Sequence, residues 1–236
     1  MSITTIIGPM FSGKTTEFIR LIERKKIAGK KCLIIKHFCD TRFNKIGETN
    51  SHVTTHSNII YKKCDIMYLQ SLSDTDNTES INMIKKIYDV IGIEEGFFFE
   101  GLANFANELA NNNIEVIVST IDSSYKQELF PEIGKLISLS EIIIKLNAVC
   151  MMCKNSDAHF TIRTVDNDEE ILVGGTDKYK SVCRKCLNNY KIIHNSNDEL
   201  ITKQEDYVLK ESSSKKRIVS SENEISTNII DKKIRK

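Results

Sequence analysis

One stretch near the N-terminus limits the folds open to this chain more than any other: residues 8–15, which read Gly-Pro-Met-Phe-Ser-Gly-Lys-Thr. They fit the pattern G-x-x-x-x-G-K-[ST] of the P-loop, in which glycines let successive backbone N–H groups face anionic oxygens. The loop needs a buried strand before it and a helix after it, because the helix N-terminus adds positive potential. Residues 4–7 are a short β-branched run and residues 16–28 contain no Gly or Pro, so both elements are predicted. A glycine turn that fits the pattern by chance is the alternative, and the correct order of strand, loop and helix argues against it.

The P-loop predicts a site for the phosphates of Mg-ATP. Lys14 is placed to reach the β- and γ-phosphates, and Thr15 is placed to hold Mg²⁺. The predicted phosphate-binding residues of this loop are Gly8, Pro9, Met10, Phe11, Ser12, Gly13, Lys14 and Thr15.

The bulk properties exclude several classes of protein. A chain of 236 residues can form one sizeable core, or one core with a small module. A net charge of +1 gives no field that gathers nucleic acid or a membrane surface, so neither partner is expected. No apolar run approaches the roughly 20 residues of a membrane span. Because a core strand and the P-loop begin the chain, we expect no signal peptide and a cytoplasmic location.

Apolar runs alternate with helical patterns along residues 1–147, which predicts a doubly wound, mostly parallel α/β sheet. We expect strands at 4–7, 32–35, 90–93, 116–118 and 142–144, the last of them buried. We expect helices at 16–28, 84–88, 102–109 and 132–138. Residues 72–82 are polar and predict a surface insertion, and residues 43–57 predict a functional or flexible loop.

Four of the seven cysteines form two C-x-x-C pairs, Cys150 with Cys153 and Cys183 with Cys186. Four thiolates complete the tetrahedral shell of a structural zinc ion. A redox C-x-x-C is the alternative for one pair alone, and the presence of two pairs argues against it. The 29 residues between the pairs exceed a usual ribbon spacing, so a loop must extend from the metal. The remaining cysteines are expected to supply no ligand: Cys32, which should pack in a core strand, Cys39 and Cys64.

These patterns predict three segments. Residues 1–147 form the nucleotide-binding domain, residues 148–194 form the small zinc domain, and residues 195–236 form a polar, disordered tail. The basic cluster at 212–217 is interpreted as part of a solvated tail, with a targeting signal as the alternative.

Several motifs, taken in order, resemble those of the thymidine kinases of the cellular and poxvirus type. They are the P-loop, Asp40-Thr41-Arg42, the acidic pair at 94–95, the cysteine pairs and the run 174–183. The resemblance extends from about Ile3 to about Tyr190. It implies transfer of a phosphoryl group from Mg-ATP to the 5′-hydroxyl of thymidine or deoxyuridine. It also implies a zinc-ribbon-like domain that carries a substrate-gripping lasso loop, and a homotetramer.

The resemblance also implies roles for individual residues. Glu95 is the catalytic acid that accepts the proton of the 5′-hydroxyl, and Glu94 lies beside the metal. Arg42 contacts phosphate and Asp40 is its acidic partner, although two such residues considered alone are more often a solvated surface pair. The residues implied for the nucleoside are Met10, Phe98, Ile121, Tyr125, Phe130, Thr161, Val173, Gly174, Gly175 and Tyr179. Considered alone, the aromatic members of this set are ordinary core residues.

The chain departs from the family pattern at three places. The family has Asp-Glu-Gly-Gln-Phe where this chain has Glu94 to Phe98, so Glu94 gains a methylene and Phe97 loses a hydrogen-bonding amide. An Arg-Lys pair of the family is replaced by Gln127 and Glu128. Two further hypotheses therefore stand beside the kinase: a nucleotide-binding relative without turnover, and a P-loop NTPase that binds nucleic acid through its zinc ribbon. The near-neutral charge argues against the last one.

Overall fold

The structure of the chain is a computed structural model, and the residues that it describes are 1–39, 53–54, 60–61, 64–73, 77–167, 169 and 171–193. The predicted phosphate contacts Asp40 and Arg42 and the predicted tail 195–236 lie outside this described part. Within it, no helix combines the length and the apolarity that crossing a membrane requires.

Strands and helices alternate through most of the chain. In order they are β1 (Ile3–Ile7), α1 (Lys14–Ile27), β2 (Cys32–His37), β3 (Val53–Thr54), β4 (Ile60–Tyr61), β5 (Asp65–Leu69), α2 (Asn77–Ile87), β6 (Val90–Ile93), a 3₁₀ turn (Gly96–Phe98), α3 (Leu102–Asn111), β7 (Glu115–Ser119), α4 (Pro131–Leu139), β8 (Ile142–Lys145), β9 (Ala148–Val149), β10 (Asp157–Ala158), β11 (Phe160–Arg163), β12 (Tyr179–Val182) and α5 (184–193).

Six of the strands form one sheet in the order β5-β2-β6-β7-β1-β8, and every neighbouring pair is parallel. The P-loop strand β1 therefore lies inside the sheet between β7 and β8, and all the strands end at the same edge. Ligands of open parallel sheets bind at that edge. The predicted fold class is confirmed.

Helices cover both faces of this sheet because each central strand is apolar on both sides. On one face, Ile6, Ile34 and Ile117 pack with Phe18 and Ile22 of α1. On the other face, the alternate strand positions pack with the apolar sides of α2, α3 and α4; they include Ile3, Leu33, Ile35, Ile91, Ile93, Val116 and Val118. The predicted packing role of Cys32 is confirmed, since its side chain is buried in the first of these cores.

Gly92 in β6 allows α1 to lie close to the sheet. A Cβ atom at this position would come within 2.6 Å of Phe18 and 2.9 Å of Ile22. A side chain there would push α1 away from the sheet, and the P-loop at its N-terminus would move with it.

The edges of the sheet differ from the sequence-based expectations. Within the expected surface insertion at 72–82, Leu72 is buried and the helix α2 begins at Asn77. Strand β5, for which the sequence analysis predicts no element, lies at one edge, where its side chains are half-buried or exposed. The expected burial of β8 is wrong, because this strand is the opposite edge and Ile142 and Ile143 are 49% and 45% exposed.

After β8 the chain forms two small antiparallel hairpins, β9 with β10 and β11 with β12. They bring the cysteine pairs of the predicted zinc domain together. Residues 1–187 form one compact unit, which includes both the sheet and these hairpins, and residues 188–236 form a second unit. The predicted division of the first 187 residues at position 147 stays a prediction.

A candidate nucleoside kinase site

The P-loop occupies the turn between β1 and α1, as the motif predicts. Its first glycine, Gly8, has φ 151°, and a Cβ atom there would lie 2.4 Å from the carbonyl oxygen of Leu146. The position therefore requires glycine for two reasons, conformation and space. Phe11 also has a positive φ of 62°, so the loop holds a non-glycine residue in the left-handed region.

Side chains of the loop fold back onto its own backbone. The ammonium group of Lys14 donates a hydrogen bond to the carbonyl oxygen of Pro9 at 2.7 Å, and the Ser12 hydroxyl donates to the same oxygen at 2.8 Å. Lys14 is buried although it is charged. These contacts give the loop a defined shape and keep a cation at its mouth, where a phosphate group would bind.

Glu95 lies just beyond β6, where the chain turns sharply. Its backbone has φ 52° and ψ 51°, a left-handed conformation that costs a non-glycine residue of the order of 1–3 kcal/mol when the surroundings enforce it. The following 3₁₀ turn is closed by a hydrogen bond from the Phe98 N–H to the Glu95 carbonyl oxygen at 3.1 Å. This strained turn directs a buried carboxylate into the cavity that the P-loop also lines.

That cavity has a volume of about 190 Å³ and lies at the carboxyl edge of the sheet. It collects most of the predicted site residues from distant parts of the chain: Met10, Phe11, Ser12, Gly13, Lys14, Thr15, Glu95, Phe98, Ile121, Tyr125, Phe130, Thr161, Val173, Gly174 and Tyr179. The P-loop, which would hold phosphate, thus lines the same space as Glu95, Thr161 and a set of mostly apolar and aromatic residues.

Four predicted nucleotide- or nucleoside-site residues of the described part do not line the cavity, namely Gly8, Pro9, Glu94 and Gly175. Glu94 has a different environment. Its carboxylate lies in the core, 3.2 Å from the ammonium group of Lys36, and the two side chains are 4% and 5% exposed. The longer side chain of Glu94 therefore forms a buried ion pair with β2.

Six further residues line the cavity and are absent from the predicted set: Thr16, Phe97, Ser123, Ser124, Ile171 and Leu172. Phe97 packs on Phe98 and Phe130, with ring centroids 4.1 Å and 5.7 Å apart, and so extends the aromatic wall. The sequence shows only that Phe97 replaces a hydrogen-bonding glutamine of the family. The fold shows that Phe97 is part of this aromatic wall. Ile171 and Leu172 directly precede Val173, so their position in the lasso is the signal that could have found them.

The hairpin of β11 and β12 contacts the P-loop directly. The backbone N–H of Met10 donates a hydrogen bond to the hydroxyl of Thr161 at 3.0 Å. Since Thr161 is in β11, this bond ties the cysteine-bearing part of the chain to the loop that would hold phosphate. No pattern in the sequence indicates this contact.

The cysteine pairs converge as predicted. The sulfur atoms of Cys150, Cys153, Cys183 and Cys186 all lie within 4.8 Å of one another. The Sγ atoms of Cys153 and Cys183 are 3.9 Å apart, about the spacing of two thiolates on one tetrahedral zinc ion. The donor set therefore fits structural zinc, and four protein ligands leave no open position for substrate.

Local hydrogen bonds prepare one of these sulfurs for a metal. Burial alone would raise the pKa of Cys150, but hydrogen bonds from backbone N–H groups at Cys153 and Cys183 lower that pKa to about 6. A side-chain hydrogen bond with Cys183 acts in the opposite direction on Cys186 and raises its pKa to about 12. A divalent cation removes this conflict, because it binds all four sulfurs as thiolates.

Comparisons with known proteins agree with this geometry. The family profile described as "Thymidine kinase" matches residues 1–187. A thymidine kinase of Acanthamoeba polyphaga mimivirus is 68% identical over 191 residues, which cover 81% of this chain and 84% of the relative. Thymidine kinase 1 of Dictyostelium discoideum is 42% identical over 79% of this chain and 78% of the relative. A thymidine kinase of sheeppox virus is 41% identical over 77% of this chain and 93% of the relative. The P-loop and a buried acid line one cavity, and four cysteines between residues 150 and 186 form a cluster. Since the family profile matches residues 1–187 and the relatives are thymidine kinases, this protein belongs to the thymidine kinase family.

Proposed function

We propose that this protein transfers the γ-phosphoryl group of Mg-ATP to the 5′-hydroxyl of thymidine, and of deoxyuridine, in nucleotide salvage. The observation that carries the proposal is the shared cavity, which brings the P-loop, Glu95 and the β11–β12 hairpin to one place. A nucleoside held by the aromatic residues would present its hydroxyl group to phosphates held by the P-loop.

The residues that would hold Mg-ATP have separate tasks in this proposal. The P-loop N–H groups and Lys14 hold the phosphates and Thr15 holds Mg²⁺, while the family resemblance implies that Arg42 contacts phosphate with Asp40 as its acidic partner. Phosphoryl transfer passes through a loose transition state, so catalysis depends on positioning and on charge stabilisation. Glu95 orients the 5′-hydroxyl and takes its proton as the bond to phosphorus forms.

The proposed nucleoside site combines apolar walls with a few polar groups. Phe97, Phe98 and Phe130 form one wall, while backbone groups near Val173 and Gly174 face the edge of the pyrimidine. A site built to pair buried polar groups with one base rejects a base that leaves them unpaired. Purine deoxynucleosides are therefore expected to be poor substrates.

The test is a measurement of phosphate transfer from Mg-ATP to thymidine, deoxyuridine, deoxycytidine, deoxyadenosine and deoxyguanosine. We expect thymidine to be the best substrate, with deoxyuridine next. Equal rates for purine deoxynucleosides would contradict the proposed base selectivity.

The same assay tests a second candidate, a nucleotide-binding relative without turnover. It is favoured by the position of Glu94, whose carboxylate pairs with Lys36 in the core instead of lining the cavity. Bound ATP with no transfer to any nucleoside would support this candidate. ATP hydrolysis stimulated by nucleic acid would support a P-loop NTPase instead, which the net charge of +1 disfavours.

We assign structural zinc to the four cysteines, Mg²⁺ to the bound ATP, a cytoplasmic location and a homotetrameric assembly. The family resemblance supports the assembly, and sedimentation of the full chain would measure it. Fractionation of expressing cells would test the location.

A further inference from the structure

A buried arginine that does not line the cavity contacts two aromatic residues that do. Arg163, the last residue of β11, is 4% exposed and lies behind the cavity wall. The Cζ atom of its guanidinium group lies 3.8 Å from the ring centroid of Tyr125 and 5.4 Å from that of Tyr179. Both tyrosines line the cavity, one from the loop after β7 and the other from β12. One cation therefore contacts two walls that come from distant parts of the chain.

The same guanidinium group also holds the loop between β11 and β12. One terminal nitrogen of Arg163 donates to the carbonyl oxygens of Asn167, at 2.8 Å, and of Glu169. The other donates to the hydroxyl of Tyr179 at 2.9 Å. That hydroxyl donates in turn to the carbonyl oxygen of Leu172 at 2.7 Å, and Leu172 lines the cavity. A continuous set of contacts thus runs from Arg163 to the part of the loop that faces a nucleoside.

The chemistry of this position requires arginine rather than any cation. A planar guanidinium can stack on a ring while its forked N–H groups donate in the plane, and an ammonium group cannot do both. Stacking on a tyrosine ring and donating to carbonyl oxygens also compensate for the water that a buried cation loses. A lysine would keep the charge and lose the stacked geometry.

The Tyr125 side of the contact is fixed by its own loop. The hydroxyl of Ser124 accepts a hydrogen bond from the Lys126 N–H at 3.2 Å, and the Ser124 N–H donates to the Glu128 carbonyl oxygen at 2.9 Å. Tyr125 therefore projects from a closed turn toward Arg163. Movement of the guanidinium would be felt directly by the two tyrosines and the loop together.

We propose that Arg163 is a positioning residue for nucleoside binding, which sets Tyr125, Tyr179 and the β11–β12 loop around the base. This inference rests on the proposed function. The P-loop has its own contacts, from Lys14 and Ser12 to Pro9, so removal of Arg163 should weaken binding of the nucleoside and leave binding of ATP unchanged.

The experiment compares Arg163→Lys and Arg163→Met with Arg184→Met in the full-length, zinc-loaded protein. Arg184 is a matched control, since it is an exposed arginine of the same cysteine-bearing part whose Cζ atom lies 4.5 Å from the ring centroid of Phe160. For each protein, KM for thymidine, KM for ATP, kcat, zinc content and thermal unfolding are measured. Thymidine binding without ATP is measured separately by calorimetry.

We expect both Arg163 variants to raise KM and Kd for thymidine about tenfold or more, the scale of one lost charged hydrogen bond. KM for ATP should stay within about twofold. A rise confined to KM for thymidine would mark lost ground-state binding of that nucleoside. Arg184→Met should change none of these values. If Arg163→Met does not fold, Arg163→Lys and its calorimetry still decide the case.

Three results would overturn the inference. Thymidine binding within about twofold of the unmodified protein in Arg163→Lys would show that charge alone is sufficient. A parallel loss of zinc, ATP binding and thymidine binding would show a general structural role. Failure of the unmodified protein to bind thymidine would refute the proposed function and the inference with it, whereas normal binding with unaffected variants would refute the inference alone.

Discussion

Glu95 and Glu94 are adjacent in sequence, but their environments in the structure differ. Glu95 occupies a strained turn at the end of β6 and lines the cavity. Glu94 belongs to the sheet core and pairs with Lys36. The left-handed turn at Glu95 thus separates a carboxylate that lines the cavity from a neighbour that is held in a buried ion pair. Substitutions at these two acids, together with alkylation of Cys64, test how each environment affects turnover, stability and thiol reactivity.

Glu95→Gln keeps the size of the side chain and removes the charge that accepts a proton. We expect kcat for thymidine to fall about 10²-fold or more, the usual scale for a lost general base, with ATP binding unchanged. Steady-state kinetics and calorimetry with an ATP analogue measure these two quantities. Glu100→Gln, an exposed acid five positions later, is the control and should behave like the unmodified protein. Near-normal turnover in Glu95→Gln would remove this acid from the mechanism.

Glu94→Gln removes the carboxylate charge that faces the buried ammonium group of Lys36. We expect the free energy of unfolding to fall by about 3 kcal/mol or more, because removing one partner of a buried ion pair is strongly destabilising. The double variant Lys36→Met with Glu94→Leu replaces the pair by apolar groups of similar volume and should recover most of the loss. Chemical denaturation of both proteins measures the effect. Equal stability of Glu94→Gln and the unmodified protein would show that the pair contributes nothing.

Cys64 is expected to be the most reactive thiol outside the metal cluster among the described cysteines. A hydrogen bond with the Cys32 side chain lowers the pKa of Cys64 to about 7, against the opposing effect of burial. Since the thiolate is the nucleophile, the alkylation rate of Cys64 should rise through pH 7 and level off about one unit higher. Peptide mapping after brief iodoacetamide treatment of the zinc-loaded protein measures this rate. Cys32→Ala removes the donor and should move the rise to higher pH; an unchanged profile would rule out the Cys32 hydrogen bond as the cause.

Of the described elements, we expect the short hairpins after β8 to depend most on a metal bound by the four cysteines. Strands as short as β9 and β10, which have two residues each, bury too little apolar surface to be stable alone. Zinc bound by the four cysteines would replace that missing core, and the bond from Met10 to Thr161 would pass its effect to the P-loop.

Removal of zinc by a strong chelator under reducing conditions should therefore abolish thymidine phosphorylation and lower the unfolding temperature. Freshly purified protein should contain about one zinc ion per chain by metal analysis. Cys153→Ser should lose that zinc, while Cys39→Ser, which changes an exposed cysteine outside the cluster, should keep it. Zinc-free protein with full activity would contradict a structural role for the metal.

The cavity and the cysteine cluster of the described part of the chain both belong to residues 1–187. The family profile ends at residue 187, and the same residues form one compact unit.

A chain that ends at Asn195 should keep kcat and both KM values within about twofold, since the polar sequence beyond it lacks the apolar periodicity of an element that joins a core. The assay is the thymidine kinase measurement on the full and shortened chains, with zinc content as the control. A large loss of activity or solubility would show that the tail contributes to the folded enzyme.

Features that depend on a short run of residues could be predicted from the order of amino acids. The P-loop, the cysteine pairs and the central strands each carry their chemistry within a few positions, so spacing and residue type were enough to predict them. The same local reasoning was wrong for the burial of β8, because exposure depends on which elements lie alongside and not on the apolar run itself.

Contacts between elements that are far apart in the chain could be found only in the folded molecule. Packing places Glu94 on Lys36, the Met10 N–H on Thr161, and Arg163 between Tyr125 and Tyr179. None of these pairs has a fixed sequence spacing, and Met10 and Thr161 are 151 residues apart. Such contacts arise where packed elements meet, since the sheet order and the helix positions set which side chains face one another. The sequence therefore identifies the groups that can bind phosphate, zinc and a nucleoside, and packing determines which of them share a cavity.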